Sequence, residues 1–151
     1  MNNIEHEYAV EVNWKNDRLG VLHSPELADK VNVATPPQFN KGMAKVWSPE
    51  HLFTAAVNSC LMTTFLALAE NSKLDFENFT SKSFGKLEMV DGKYMMSEVT
   101  LVPILTIRRE GDKERAMRVL QKSEAACLIS NSIKSEIVFK PEIIVKSKQA
   151  A

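Results

Sequence analysis

The run from Ser48 to Leu68, SPEHLFTAAVNSCLMTTFLAL, constrains the fold more than any other stretch of this chain. Ser48 can cap a helix, Pro49 suits the first helical position and Glu50 complements the positive end, so a helix is predicted to start here. From Leu52 to Leu68 apolar residues fall on almost every face, the pattern of a helix buried on most of its sides. A helix of that kind belongs in the middle of a fold, and a length of 151 residues suits one domain, 1–151, with a substantial core. Asn71 and Ser72 end the helix.

Short extended pieces precede it. Ile4 to Trp14 alternates, with Tyr8, Val10 and Val12 on one side, and reads as a strand. Lys15-Asn16-Asp17 turns the chain, and Leu19 to Leu22 and Lys30 to Ala34 read as further strands before Pro36-Pro37 breaks regular structure. Phe39 to Trp47 is a predicted loop. After the helix, Phe76 to Val90 and Lys93 to Arg109 are two long strands joined at Asp91-Gly92, a dipeptide suited to a tight hairpin. Val99, Leu101, Leu105 and Ile107 share one face of the second strand, Thr100 and Thr106 the other, and Pro103 predicts an edge or a bulge. Asp112 is placed as the cap of a second helix, in which Ala116, Val119, Leu120, Ser123 and Cys127 recur at helical spacing. Glu136 to Ser147 closes the chain as a strand, and the last residues, KSKQAA, are expected to fray. The order predicts an α+β fold.

Lys plus Arg equals Asp plus Glu, at 19 each, so no net field draws the chain to a phosphate backbone or an anionic bilayer. Nucleic acid and membrane are therefore poor partners on this reading. The start, MNNIEHEYAV, lacks the basic and apolar pattern of a secretory signal, and no stretch reads as long enough to span a bilayer, which makes the cytoplasm the expected location. His6, His23 and His51 fit no metal-ligand spacing, and the five glycines form no phosphate loop. No metal and no bound cofactor are implied.

A reducing compartment disfavours permanent disulfides, so Cys60 and Cys127 are either inert core residues or redox chemistry. Both lie on apolar helical stretches, where free cysteines mostly behave as small hydrophobes. Each is also followed by small polar residues, Thr63-Thr64 and Ser130-Asn131-Ser132, that could face a shared cavity. Composition leaves both readings open.

Ser48-Pro49-Glu50-x-Leu52-Phe53-x-Ala55-Ala56, reaching Cys60 ten residues after Glu50, resembles the first-cysteine helix of the OsmC/Ohr family of osmotically inducible and organic-hydroperoxide-resistance proteins. Ala125-Ala126-Cys127-Leu128-Ile129-Ser130-Asn131-Ser132-Ile133 is similar to that family's second-cysteine motif, with Ala126-Cys127-Leu128 where the family usually has His-Cys-Pro. The resemblance runs from about Tyr8 to Val145. It implies antiparallel sheets around a central buried helix, an intertwined homodimer with active sites at the subunit interface, and a thiol peroxidase. Cys60 would attack a hydroperoxide, Cys127 would resolve the sulfenic acid as a disulfide, and a dithiol reductant would regenerate both thiols. Glu50 matches the family's helix-start glutamate, and Arg18, which precedes the helix, is the candidate for its activating arginine. The departure around Cys127 places the chain among general OsmC-like members.

Ten residues of straight helix rise about 15 Å, too far for one arginine to join Glu50 to Cys60. Either the helix is broken near its start or Glu50 serves Cys60 across a subunit interface. Met43, Trp47, Phe53 and Met62 are bulky apolar candidates for the pocket of an alkyl or aryl hydroperoxide, with core packing the competing account for Phe53 and Met62. Two rival functions remain at this stage: a non-enzymatic dimer that binds a small ligand, and a different thiol chemistry, such as handling reactive sulfur species, at the same site.

Overall fold

The computed structural model describes residues 5–146. Ile4, at the head of the predicted first strand, and Ser147 to Ala151, most of the predicted frayed end, lie outside the described residues. The chain divides into two compact units, Met1–Leu52 and Phe53–Ala151.

In the first unit β1 (Glu11–Asn16), β2 (Leu19–His23) and β3 (Val31–Ala34) form an antiparallel sheet in chain order. The turn between β1 and β2 is the pair Asp17-Arg18, tightened by a left-handed Asp17, φ 45°, and by a 3.0 Å hydrogen bond from Trp14 Nε1 to the Asp17 carbonyl. The strand predicted over Ile4 to Trp14 forms only from Glu11, residues 5–10 being outside any strand, and both of its sides are exposed, the apolar one included. Tyr8, Val10, Val12 and Trp14 are 82, 68, 59 and 77% exposed. The loop before the helix is pinned to β3 and its end by backbone bonds: the Met43 N–H donates to the Thr35 carbonyl, 2.8 Å, and the Ala34 N–H to that of Trp47, 2.8 Å.

The helix α1 (Pro49–Asn71) begins at the end of the first unit and is unbroken throughout. The Ser48 Oγ accepts the His51 N–H at 3.1 Å, the capping predicted for that serine. In the second unit β4 (Asn78–Val90) and β5 (Lys93–Ile107) make the long hairpin, turned by Asp91 and Gly92 with φ 49° and 78°, the paired left-handed conformation of a tight hairpin. A short 3-10 turn, Glu110–Asp112, leads into α2 (Lys113–Ala126), and the chain returns as β6 (Glu136–Phe139) and β7 (Glu142–Val145). Both run parallel to β5, because the intervening helix carries the chain back across the sheet. The α+β class predicted from the element order is the observed one, with one antiparallel and one mixed sheet.

The core of this unit lies where the two helices meet one face of β5. Val57 and Leu61 of α1 pack with Val99 and Leu101; Phe65 and Ala69 pack with Leu105, Ile107 and the Ala116, Val119 and Leu120 stripe of α2. About one of these apolar residues per turn of α1 thus points inward, but the helix is not buried on most sides as its sequence suggested. Met62 and Leu66 are 40 and 42% exposed. By length and composition α1 also passes as a candidate membrane span, contrary to the sequence reading, because Asn58, Ser59, Thr63 and Thr64 interrupt the apolar run without abolishing its average.

Three local expectations are corrected. Pro103 is at neither an edge nor a bulge: it is buried in the central strand, opposite the gap where β6 gives out after Leu101 and β7 takes over at Ile104. The predicted closing strand is accordingly two strands, split at Lys140-Pro141. Asp112 occupies the position before α2 but makes no side-chain cap; its carboxylate pairs with Arg109, 3.1 Å, and Arg115, 3.7 Å. Lys146, first of the residues expected to fray, is held by its N–H to the Ile107 carbonyl at 2.8 Å and by its ammonium to Glu77 at 2.6 Å.

Candidate active site

Cys60 sits in the middle of α1, on the inward face between Val57 and Leu61, and is 9% exposed. Thr64, one turn later, presents its hydroxyl to the sulfur at 3.8 Å. Cys127 is the C-cap of α2, with φ −64° and ψ 110°, and is fully buried. Both are free thiols. The helix releases the chain at Cys127, and a compact turn follows. The Asn131 N–H donates to the Cys127 carbonyl at 3.0 Å, the Ser132 Oγ to the Leu128 carbonyl at 2.6 Å, and the Asn131 amide to the Ala125 carbonyl at 3.1 Å. That turn brings the Cys127 thiol near enough to the Cys60 sulfur for each to influence the other's ionisation.

The two thiols are pushed apart in acidity. Burial is the largest single influence on Cys60 and raises its pKa, but hydrogen bonds from the Ile129 amide, the Cys127 thiol, the Thr64 hydroxyl and the Leu128 amide together outweigh it and leave Cys60 below the ordinary thiol value. Burial likewise raises Cys127; Ser130 pulls it down through its side chain and amide, and the hydrogen bond and charge of Cys60 push it up again, so that it ends above the ordinary value. When such a pair loses the first of its two protons, the charge falls on Cys60 and the remaining proton stays on Cys127. Such an arrangement supplies a nucleophile and, within contact of it, a second sulfur able to close a disulfide.

The two cysteines are the predicted site residues that the structure brings together. Glu50 lies in the first turn of α1 and Arg18 in the exposed β1–β2 turn, both in the first unit. The unbroken α1 removes the broken-helix alternative for Glu50. Of the pocket candidates, Met43 is half-buried in the pinned loop, and Trp47 is 52% exposed with its ring edge-on to His51 at 6.2 Å. Met62 is on the exposed side of α1, so packing within this chain does not account for it. Phe53 lines an open apolar cleft of about 650 Å³ together with Tyr94, Met95, Met96 and Ile133, and neither sulfur lines it. The hairpin residues of that cleft were read only as strand, since nothing in an alternating pattern marks which exposed positions border a cavity.

A sequence model of the OsmC-like protein family matches residues 42–142. An uncharacterized protein of Bacillus subtilis, YmaD, is 22% identical over 147 residues, covering 94% of this chain and 96% of its own length. Among solved structures, an OsmC-like protein of unknown function from Vibrio cholerae superposes with a TM-score of 0.80 at 21% identity, covering 91% of this chain and 99% of that one. An organic hydroperoxide resistance protein OsmC from Legionella pneumophila gives 0.70 at 19% identity, covering 95% and 100%.

Proposed function

Because the chain belongs to the OsmC-like protein family, we propose that it is a thiol peroxidase that reduces organic hydroperoxides, with Cys60 as the attacking and Cys127 as the resolving cysteine. The observation that carries this reading is the contact between two free thiols of opposite acidity shift, Cys60 lowered and Cys127 raised. Solved relatives named as organic hydroperoxide resistance proteins share the fold and support the substrate class.

In the first step the Cys60 thiolate bonds to the terminal peroxide oxygen, the O–O bond breaks, and the alkoxide takes a proton and leaves as an alcohol. Cys127 then gives up its proton and attacks the Cys60 sulfenic sulfur. Hydroxide departs with that proton as water, and the disulfide closes before a second peroxide arrives. The two thiols and one hydroperoxide have become a disulfide, an alcohol and water. An external dithiol returns two electrons and two protons by exchange. The fold works as an intertwined homodimer, in which Arg18 and Glu50 reach the reacting centre from the partner subunit. Organic hydroperoxides are reduced faster than hydrogen peroxide, because the surroundings of the sulfur are apolar; equal second-order rate constants for the two would refute that preference.

One rival has an observation of its own. The near-complete burial of both sulfurs and the apolar cleft suit a dimer that binds a small ligand without reacting. Mixing the reduced protein with a slight excess of cumene hydroperoxide separates the two readings. Rapid loss of both thiols into a Cys60–Cys127 bond located by mass spectrometry, absent in Cys60→Ser, is the peroxidase result. Survival of both thiols assigns the fold to binding.

A further inference from the structure

We propose that Thr64 is a further catalytic residue, whose hydroxyl donates to the Cys60 sulfur when that sulfur is a thiolate, so that the helix carrying the nucleophile also carries its stabilising donor. The inference rests on Cys60 being the reacting group of the function proposed above. Its readout is ionisation without peroxide, so the two can fail separately.

Cys60 lies in the middle of α1, too far from the positive end of the helix to draw on it. Its neighbours Val57 and Leu61 cluster with Val99 and Leu101 of β5, and Phe79 of β4 and Ile129 after α2 pack against that cluster. A charge in such surroundings is costly unless a donor meets it. The Thr64 hydroxyl does so: four residues on, it lies on the same face of the helix, 3.8 Å from the Cys60 Sγ.

Two adjacent threonines make that contact available. A threonine in a helix ordinarily turns its hydroxyl onto the carbonyl three or four residues back. Thr63 does this, donating to the Cys60 carbonyl at 3.1 Å. The same carbonyl is the acceptor four residues behind Thr64, and in an unbroken α-helix it also takes the Thr64 N–H, so both of its lone pairs are committed. The Thr64 hydroxyl is turned to the sulfur instead.

Ionisation fixes the direction of the bond. While Cys60 is a thiol, either atom can donate. Once the thiol has given its proton to solvent, the hydroxyl alone has one to offer; its O–H points at the negative sulfur and the proton stays on oxygen. A hydrogen bond to a charged acceptor is stronger than one between neutral groups, so the contact favours the thiolate. The lowered pKa of Cys60, to which the Thr64 hydroxyl contributes, agrees with this direction.

Thr64→Val keeps the branched shape and removes the hydroxyl; Thr64→Ser keeps the hydroxyl and drops the methyl group. Iodoacetamide alkylation of Cys60 is followed against pH, with the modified peptide located by mass spectrometry. Thr64→Val is expected to raise the midpoint by about half a pH unit, a roughly threefold loss of thiolate at a fixed pH below it, with Thr64→Ser at the wild-type midpoint. Cys127, the titratable group of this chain that acts on the sulfur, is present in both variants, as are Arg18 and Glu50, so none of them separates the two. A measurement on the unaltered chain guards against misfolding. In reduced protein ¹³C-labelled at its threonine methyls, the Thr64 resonance should move with the midpoint of Cys60 alkylation and lose that step in Cys60→Ser. A valine variant at the wild-type midpoint, a serine variant shifted as far as the valine one, or a Thr64 methyl that ignores the Cys60 titration would overturn the donor.

Discussion

At the scale of single residues the site is a proton-sharing problem. A group whose folded pKa is lowered keeps more of its charged form at any pH below its ordinary value, so native Cys60 should remain reactive where a free thiol falls silent. The expected result is an alkylation midpoint for native Cys60 below that of the same residue in urea, where the ordinary value near 8.5 applies. A native midpoint at or above the denatured one would remove the thiolate from the mechanism. Cys127 makes the complementary prediction. In Cys127→Ala the sulfenic acid has no partner, so repeated peroxide should convert Cys60 to sulfinic acid, seen as a gain of two oxygens in the intact mass, after no more than one turnover without reductant. Residue type singled out both cysteines in the sequence, but it left packing and chemistry equally open, and their roles came from the family resemblance.

At the scale of elements, the position of α1 over the sheet depends on a missing side chain. Gly85 of β4 faces Val99 of β5 on the side that packs against α1, and a methyl group there would lie 2.2 Å from Thr54 Oγ1 and 2.6 Å from Met96 Cε. Met96 can swing away, but Thr54 is β-branched on a helix and has little freedom at χ1. Gly85→Ala should therefore destabilise the fold by about 2 kcal/mol in urea unfolding at fixed protein concentration, and Thr54→Ala should recover part of the loss. Gly92→Ala is the control for mere glycine loss. Nothing lies within 4 Å of its added carbon, so only the left-handed backbone, φ 78°, is penalised, about 1 kcal/mol, and Thr54→Ala should leave that penalty untouched. A larger effect at Gly92 than at Gly85 would show that helix-to-sheet distance is not what Gly85 protects. Element existence followed from periodicity and turn chemistry, as Asp91-Gly92 and the Ala116 to Ser123 stripe demonstrate. Pro103 misled because a proline's missing donor can face a break between two partner strands as readily as solvent, and Asp112 because two arginines compete for the carboxylate that would have capped α2.

At the scale of the molecule, the apolar surface left open argues for a second copy. The first unit exposes Tyr8, Val10, Val12 and Trp14 in a row; the second exposes Met62 and Leu66 on α1, and Phe84, Met89 and Tyr94 on the hairpin. Isolated exposed hydrophobic residues need no explanation, but rows at strand and helix spacing do. The dimer proposed above accounts for them, and it explains why α1 reads as apolar all round while this chain covers only one of its faces. The same surface allows activation and turnover to be separated. Thr64 and Cys127, which act on Cys60, belong to its own chain, while Arg18 and Glu50 are proposed to come from the partner, so dissociation should spare the lowered Cys60 pKa and abolish the reaction. Val10→Glu with Val12→Glu places two carboxylates in the exposed row of the first unit. Sedimentation should then report a monomer in which the Cys60 alkylation midpoint is kept and cumene hydroperoxide reduction falls at least a hundredfold. A monomer that turns over at the wild-type rate would place the whole reacting centre in one chain. A monomer that loses the thiolate as well would mean that Cys60 draws its charge stabilisation from the partner, with Arg18 as its source.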